Sequence, residues 1–333
     1  MSPDSTRPSP LPAIPLHDIG EAGAPALLAR EPERARALLA AGTERYGPSL
    51  IGLFDALSAR WLACSSSPYR REIEEVALAL GTPGVRFLNV SYEWGCSSGV
   101  VAAPGGGMRL VRVLDWPLDG LGRHLVAARQ RGHAGEWINL TWPGFAGAIQ
   151  GLAPGRFAAA FNQAPMASAT PFLTLDWAIN RVKVWRRRAL PPAHLLRQTF
   201  EQAASYADAK RRLVETPIAL PAIFLLAGPR EGEGCVIERG ETAAYVLEAP
   251  VCAANHWQKL PYRARPRGAG SRDRAAALAD SIASSGMDLA WFEPPIRNEA
   301  SRLVMLGEPA SGSLFAQGIE AEAPATQALR LSA

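Results

Sequence analysis

Among the four cysteines of this chain, Cys96 has the neighbours of a nucleophile. It follows Gly95 and precedes the run Ser98-Gly99-Val100-Val101, so a thiol stands between a flexible residue and the start of a strand. Cys64, Cys235 and Cys252 are widely spread, with no CxxC pair or other metal-ligand spacing, and read as small inert hydrophobes. If CSSGVVAA (96–103) and RLVRVLDW (109–116) form a hairpin about a Pro104–Gly107 turn, Cys96 lies across from about Asp115, with Arg112 close by. A guanidinium beside a thiol favours the thiolate and lowers its pKa toward working pH. A carboxylate there can orient a neighbouring donor. Arg112 and Asp115 are an odd number of positions apart, so a regular strand sends them to opposite faces. Both reach the thiol only if a bulge or the strand end intervenes.

The elements that must hold this hairpin follow from periodicity. Residues 1–18 are rich in proline and read as a disordered lead. Three helices come next: EPERARALLAAGTERYG, ended by Gly47; PSLIGLFDALSARWLACSS; and a third opening at Ser67-Pro68 and stopping at Gly81. After them the period changes. VRFLNVSYEW (85–94) reads as a strand before the Cys96 hairpin, and GFAGAIQGL with RFAAAFN (156–162) makes a second hairpin. A long amphipathic helix covers 193–215. Strands return at AIFLLAG, CVIERG, AAYVLEA and VCAAN, a helix runs from Ser271 to about Ser285, and SRLVMLG with SGSLFAQG closes the chain. Hairpin-linked strands with helices between them imply an α+β fold of antiparallel sheets with helices layered outside.

The ordered motifs resemble the cholylglycine-hydrolase and acid-ceramidase group of N-terminal-nucleophile hydrolases. Cys96 with Arg112 and Asp115 matches the group's opening pattern. VRFLNVSYEWGCSS, WPGFAGAIQGLAPGRFAAAFNQ, CAANHW and SRDRAAAL are similar, in this order, to segments of its acid ceramidase and N-acylethanolamine-hydrolysing amidase branch. The resemblance spans about residues 20 to 320. It implies a four-layer αββα sandwich over 96–333, preceded by a helical segment over 19–95. These become two fragments when the Gly95–Cys96 bond cleaves itself.

The resemblance also assigns roles. Cys96 is the nucleophile, and its freed α-amine is the base. Asp115 holds that amine, and Arg112 lies beside the thiolate. Asn162 and Asn255 supply N–H donors to the oxyanion. Arg274 completes the site in preference to Arg272, because Ser271-x-x-Arg274 fits the spacing better. Trp116 and Trp142, beside site elements, are expected to line an apolar acyl pocket. His256 is read as structural, since this chemistry needs no histidine. The plainer readings are a surface ion pair for Arg112 and Asp115, and turn starts for Asn162 and Asn255.

Composition bounds the partners. The net charge is +4 over 333 residues, and the densest basic cluster, VWRRRAL, is short, so nucleic acid is not expected. No run of eighteen apolar residues suggests a membrane span. The N-terminus lacks a basic region followed by an apolar one, and a cytoplasmic, reduced protein is the simplest expectation. No cofactor or metal is implied. The expected activity is hydrolysis of a small N-acyl amide (a fatty acyl amide, an acylated amino acid or similar) through an acyl-enzyme at Cys96. An acyltransferase passing the acyl group to an amine, or a non-catalytic binding protein on the same fold, is the alternative.

Overall fold

Cys96 sits near the start of a strand, Gly95–Ala102, whose return strand is Met108–Asp115. A computed structural model describes residues 10–282 and 286–332 of the chain. The expected turn is one residue shorter than 104–107, because Gly107 belongs to the ladder: the Ala103 N–H bonds its carbonyl at 3.0 Å. A Cβ at Gly107 would come 2.5 Å from Pro229 O, and its φ is +72°, so glycine is needed there twice over. The register therefore differs by one from expectation. Leu114, not Asp115, is opposite Cys96; Arg112 is opposite Ser98, and Asp115 opposite Gly95.

A one-residue slip exchanges the faces of a strand, so this register decides the site. Cys96, Leu110 and Leu114 join the central core, and Ser98 and Arg112 point the same way, toward Asn162. Val111 and Val113 pack on the other face against Leu278 and Ile282. All eight residues of Met108–Asp115 are buried, as in a strand covered on both sides.

Two sheets lie face to face. The smaller, seven-stranded one runs Val251–Ala253, Gly95–Ala102, Met108–Asp115, Ser301–Glu308, Ser313–Glu320 and Ala323–Pro324, with Leu329–Leu331 also on Ser313–Glu320. The larger has eight strands, in the order Leu16–Gly20, Val126–Gly132, Gly135–Thr141, Gln150–Ala153, Phe157–Gln163, Ala222–Ala227, Gly234–Arg239 and Ala244–Glu248. Pairing is antiparallel except between Leu16–Gly20 and Val126–Gly132. Helices Pro192–Gln202 and Tyr206–Glu215 cover the larger sheet, and Ser271–Ile282 covers the smaller. The order of layers is αββα. Among the described residues, no helix is long and apolar enough to cross a membrane.

The helical segment before Cys96 comprises Gly23–Arg30, Pro32–Tyr46, Pro48–Cys64, Arg70–Leu80 and Val85–Val90. Proline opens the second and third, and Gly81 ends the fourth in the left-handed conformation.

Three expectations need correction. First, Val85–Val90 is a helix rather than a strand. Asp55 of the neighbouring helix accepts the Arg86 and Phe87 N–H groups at 2.7 and 3.1 Å, satisfying the first-turn donors from outside the local sequence. Second, the long helix over 193–215 is two. Ser205 breaks it by capping the second, accepting the Asp208 N–H at 3.2 Å. Third, the lead over 1–18 is placed in its second half (residues 1–9 lie outside the described residues). Ile14 is buried, the Pro15 carbonyl accepts the Ala127 N–H at 2.9 Å, and Leu16–Gly20 forms an edge strand. Proline's missing N–H is tolerated at a sheet edge.

Candidate active site

The thiol of Cys96 faces the gap between the sheets and has no exposed surface. Arg112 Nη2 lies 3.3 Å from its sulfur, and the Gln163 backbone N–H also donates to it. The remaining partners of Arg112 are neutral: Gln150 Oε1 at 2.9 Å, Asn162 Oδ1 at 2.5 Å and Ser98 Oγ at 3.4 Å. A fully buried guanidinium is costly unless paired. Among the described residues, the one directly bonded group that can become its counter-ion is the Cys96 sulfur. The expected lowering of the thiol pKa is not found in the continuous chain. Burial pushes it up, and Arg112 offsets only part of that, because no water reaches the sulfur.

The other side of the Gly95–Cys96 bond is built from a second set of groups. The Cys96 N–H donates to Asn255 Oδ1 at 2.7 Å. Arg274 Nη2 donates to the same oxygen at 3.0 Å, its Nε donates to Ser97 Oγ at 3.1 Å, and Nη1 bonds the Ala269 carbonyl. Asp115 Oδ1 accepts the Ser301 hydroxyl at 2.9 Å. Its Oδ2 lies 3.6 Å from Arg274 Nε, and the Asn298 side chain also faces this carboxyl. Burial pushes the Asp115 carboxyl up, against Arg274. A Cβ at Gly95 would rest 3.4 to 3.7 Å from Asp115, Arg274 and Asn255, so these three groups surround the glycine without crowding it.

Arg112 and Asp115 thus lie on opposite faces, as their odd spacing requires. The strand end supplies the access that the sequence demanded, and the bulge falls on the partner strand, between Ser301 and Leu303 opposite Asp115 and Leu114. Asp115 faces the peptide bond while Arg112 faces the thiol. Arg274 is buried in the site, whereas Arg272 is exposed. Asn162 is present but turned: its Nδ2 donates to Ala253 O and Ala254 O at 3.2 and 3.3 Å while its oxygen holds Arg112. Asn255 commits one Nδ2 contact, to Gln163 O at 2.8 Å. His256 bonds Ser271 Oγ through Nδ1 at 2.9 Å and makes no contact with the thiol.

Two cavities lie near the site, one lined by Trp116 and the other by Trp94, whose ring centroids are 4.7 Å apart. An apolar groove with about 540 Å³ of empty space is walled by Trp116, Trp142, Leu39, Val76 and Leu88, between the helical segment and the sandwich. A more polar cleft of about 1300 Å³ is lined by Trp94, Gly95, Asp115, Arg267, Arg274 and Asn298. Ser301, Asn298, Gln150 and the Gln163 backbone were not foreseen. Each joins the site through a contact distant in sequence and leaves no local pattern.

No protein-family model matches the chain. Over 110 residues, a third of this chain, it is 32% identical to acid ceramidase from Pan troglodytes, and over 111 residues 33% identical to acid ceramidase from Homo sapiens. The match spans 27% of the length of each relative. The fold matches that of a Caenorhabditis elegans N-acylethanolamine-hydrolyzing acid amidase ortholog, with a TM-score of 0.51 at 17% identity, covering 65% of this chain and 93% of that one.

Proposed function

We propose that this chain, similar in sequence to the acid ceramidases and N-terminal-nucleophile hydrolase in fold, is a self-processing cysteine amidohydrolase of small N-acyl amides. The observation that carries the reading is the separation of Cys96 into two held halves. Its sulfur lies 3.3 Å from Arg112, and its nitrogen lies 2.7 Å from Asn255, on the strand end where Asp115, 3.6 Å from Arg274, faces Gly95.

Processing begins when the thiol attacks the Gly95 carbonyl carbon. The C–N bond breaks, the acyl group passes to sulfur as a thioester, and the nitrogen becomes the Cys96 α-amine. Water then hydrolyses the thioester, leaving a Gly95 carboxylate and a free thiol. Trp94 and Gly95, which separate the enclosed sulfur from the cleft, are then free to withdraw.

In turnover, the α-amine, with an ordinary pKa of about 7.7–8.0, takes the thiol proton. Asp115 Oδ2 and Asn255 Oδ1 hold it, and Arg112 stabilises the thiolate. Sulfur attacks the substrate carbonyl, and the remaining Asn255 Nδ2 proton is the available oxyanion donor. The amine leaves with the transferred proton, and water, deprotonated by the same α-amine, releases the acid. The apolar groove beside Trp116 and Trp142 suits the acyl chain.

Intact mass and an assay with N-lauroylethanolamine and N-lauroylglycine test the reading. Two fragments parting before Cys96, amide hydrolysis, and loss of both in Cys96→Ala are expected. A wild-type chain that stays whole and inactive on both amides overturns it, as does a Cys96→Ala chain that still splits.

A further inference from the structure

Arg267 has no part in the reaction above. It lies in the loop before the Ser271–Ile282 helix, where its backbone N–H donates to Asn255 O and its Nε to Ala164 O, each at 3.1 Å. These anchors hold the guanidinium where the cleft beside Gly95 meets a third cavity, of about 850 Å³, beside Gln163 and Tyr92. Among the described residues, its two terminal nitrogens make no hydrogen bond and no ion pair. The other two arginines of the cleft are provided for: Arg274 has Asp115 at 3.6 Å, and Arg297 has Glu293 at 2.9 Å. Glu93, whose charge also acts on Arg267, is held by Arg181 at 2.8 Å. Burial draws the Arg267 pKa down to about 10, as expected of a cation short of an anion.

We propose that Arg267 binds a carboxylate carried by the amine half of the substrate, so that N-acyl amino acids are the preferred class. The inference rests on the amidohydrolase reading. Two free nitrogens on a planar fork match the two oxygens of a carboxylate. The cavities divide the substrate accordingly, with the acyl chain in the groove of Trp116 and Trp142 and the charged head in the cleft lined by Trp94 and Arg267.

N-lauroylglycine and N-lauroylethanolamine differ only where a carboxylate replaces CH2OH. For wild-type enzyme, kcat/KM for the glycine conjugate is expected to be roughly 10- to 100-fold higher, the range of one charge-assisted contact. Arg267→Gln collapses that ratio toward one, and Arg267→Lys keeps part of it. A ratio unchanged in Arg267→Gln overturns the assignment. So does an equal fall on both substrates, which would place Arg267 on the Gly95 carboxylate released by processing. If wild type hydrolyses neither compound, the amidohydrolase reading fails. Calorimetry on the wild-type chain then decides the anion site: tighter binding of N-lauroylglycine, lost in Arg267→Gln, supports it, and equal or absent binding of the two overturns it.

Discussion

Replacing Arg112 by methionine separates a catalytic guanidinium from a structural one. The substitution removes the hydrogen bond to Cys96 Sγ and a positive charge with no exposed surface, and it leaves Gln150 Oε1 without its donor. Asn162 Oδ1 keeps the Ser98 hydroxyl at 2.8 Å. One orphaned buried acceptor costs about 1–3 kcal/mol. Removing a buried cation whose acceptors are neutral returns an amount of similar size, so the folding free energy should move by no more than about 2 kcal/mol. Activity should respond differently. A hydrogen bond to a charged group contributes about 1.5–3 kcal/mol, so each thiolate-forming step should slow by about 10- to 150-fold. The same factor should appear in self-processing, read as the rate at which fragments accumulate by mass, and in kcat/KM for an N-acyl amide. Urea denaturation provides the control. A variant as stable as the parent that processes within twofold of its rate would show that Arg112 merely fills the gap between the sheets. A parallel collapse of stability and rate would show the same by another route.

Asp115→Asn keeps the Ser301 contact and relieves the burial that raises this carboxyl. It should fold at least as well by urea midpoint while processing and turnover fall by about 100-fold or more. Gly95→Ala should split within a few-fold of the parent rate by mass, because its Cβ meets Asp115, Arg274 and Asn255 at ordinary contact distance. Gly95→Leu should stall, since a branched chain must pass through those groups. His194 is buried, bonds Ser67 Oγ at 2.7 Å, and has its pKa lowered to about 3 by burial and by Arg197. Its ordinary value is about 6.5, so the unfolded chain takes up the proton first. Stability contributed by neutral His194 is complete above pH 6.5 and falls by about 1.4 kcal/mol per unit toward pH 3. Chemical denaturation across that window should show the slope, and His194→Gln should flatten it.

Much of the sandwich was legible because its information is local. Alternating apolar runs marked the hairpins, and proline and glycine marked the ends of the Pro32–Tyr46, Pro48–Cys64 and Arg70–Leu80 helices. Where tertiary contact outweighed local preference, the sequence misled. Val85–Val90 has β-branched ends and reads as a strand, yet Asp55 caps it into a helix from thirty-one residues away. The strands Val126–Gly132 and Gly135–Thr141 were not foreseen. Arg129 and Arg131 interrupt the first with charge, and Glu136 sits on the second, so neither shows an uninterrupted apolar run.

The site divides along the same line. The odd interval between Arg112 and Asp115 is a parity statement, and parity survives an error of register: the hairpin slipped by one and the two residues still parted to opposite faces. The thiol pKa depends instead on how many atoms exclude water from Cys96. Those atoms come from both sheets, so counting charges along one hairpin gave the wrong direction. Arg267 was hidden for a further reason. Its interest lies in partners it does not have, and a sequence can suggest that an arginine is near a carboxylate but not whether the two are paired. The two arginines that share its cleft do have such partners. A site cation of this kind becomes visible only when the contacts of its neighbours are known, and the proposed carboxylate on the substrate is what the comparison of N-lauroylglycine with N-lauroylethanolamine tests.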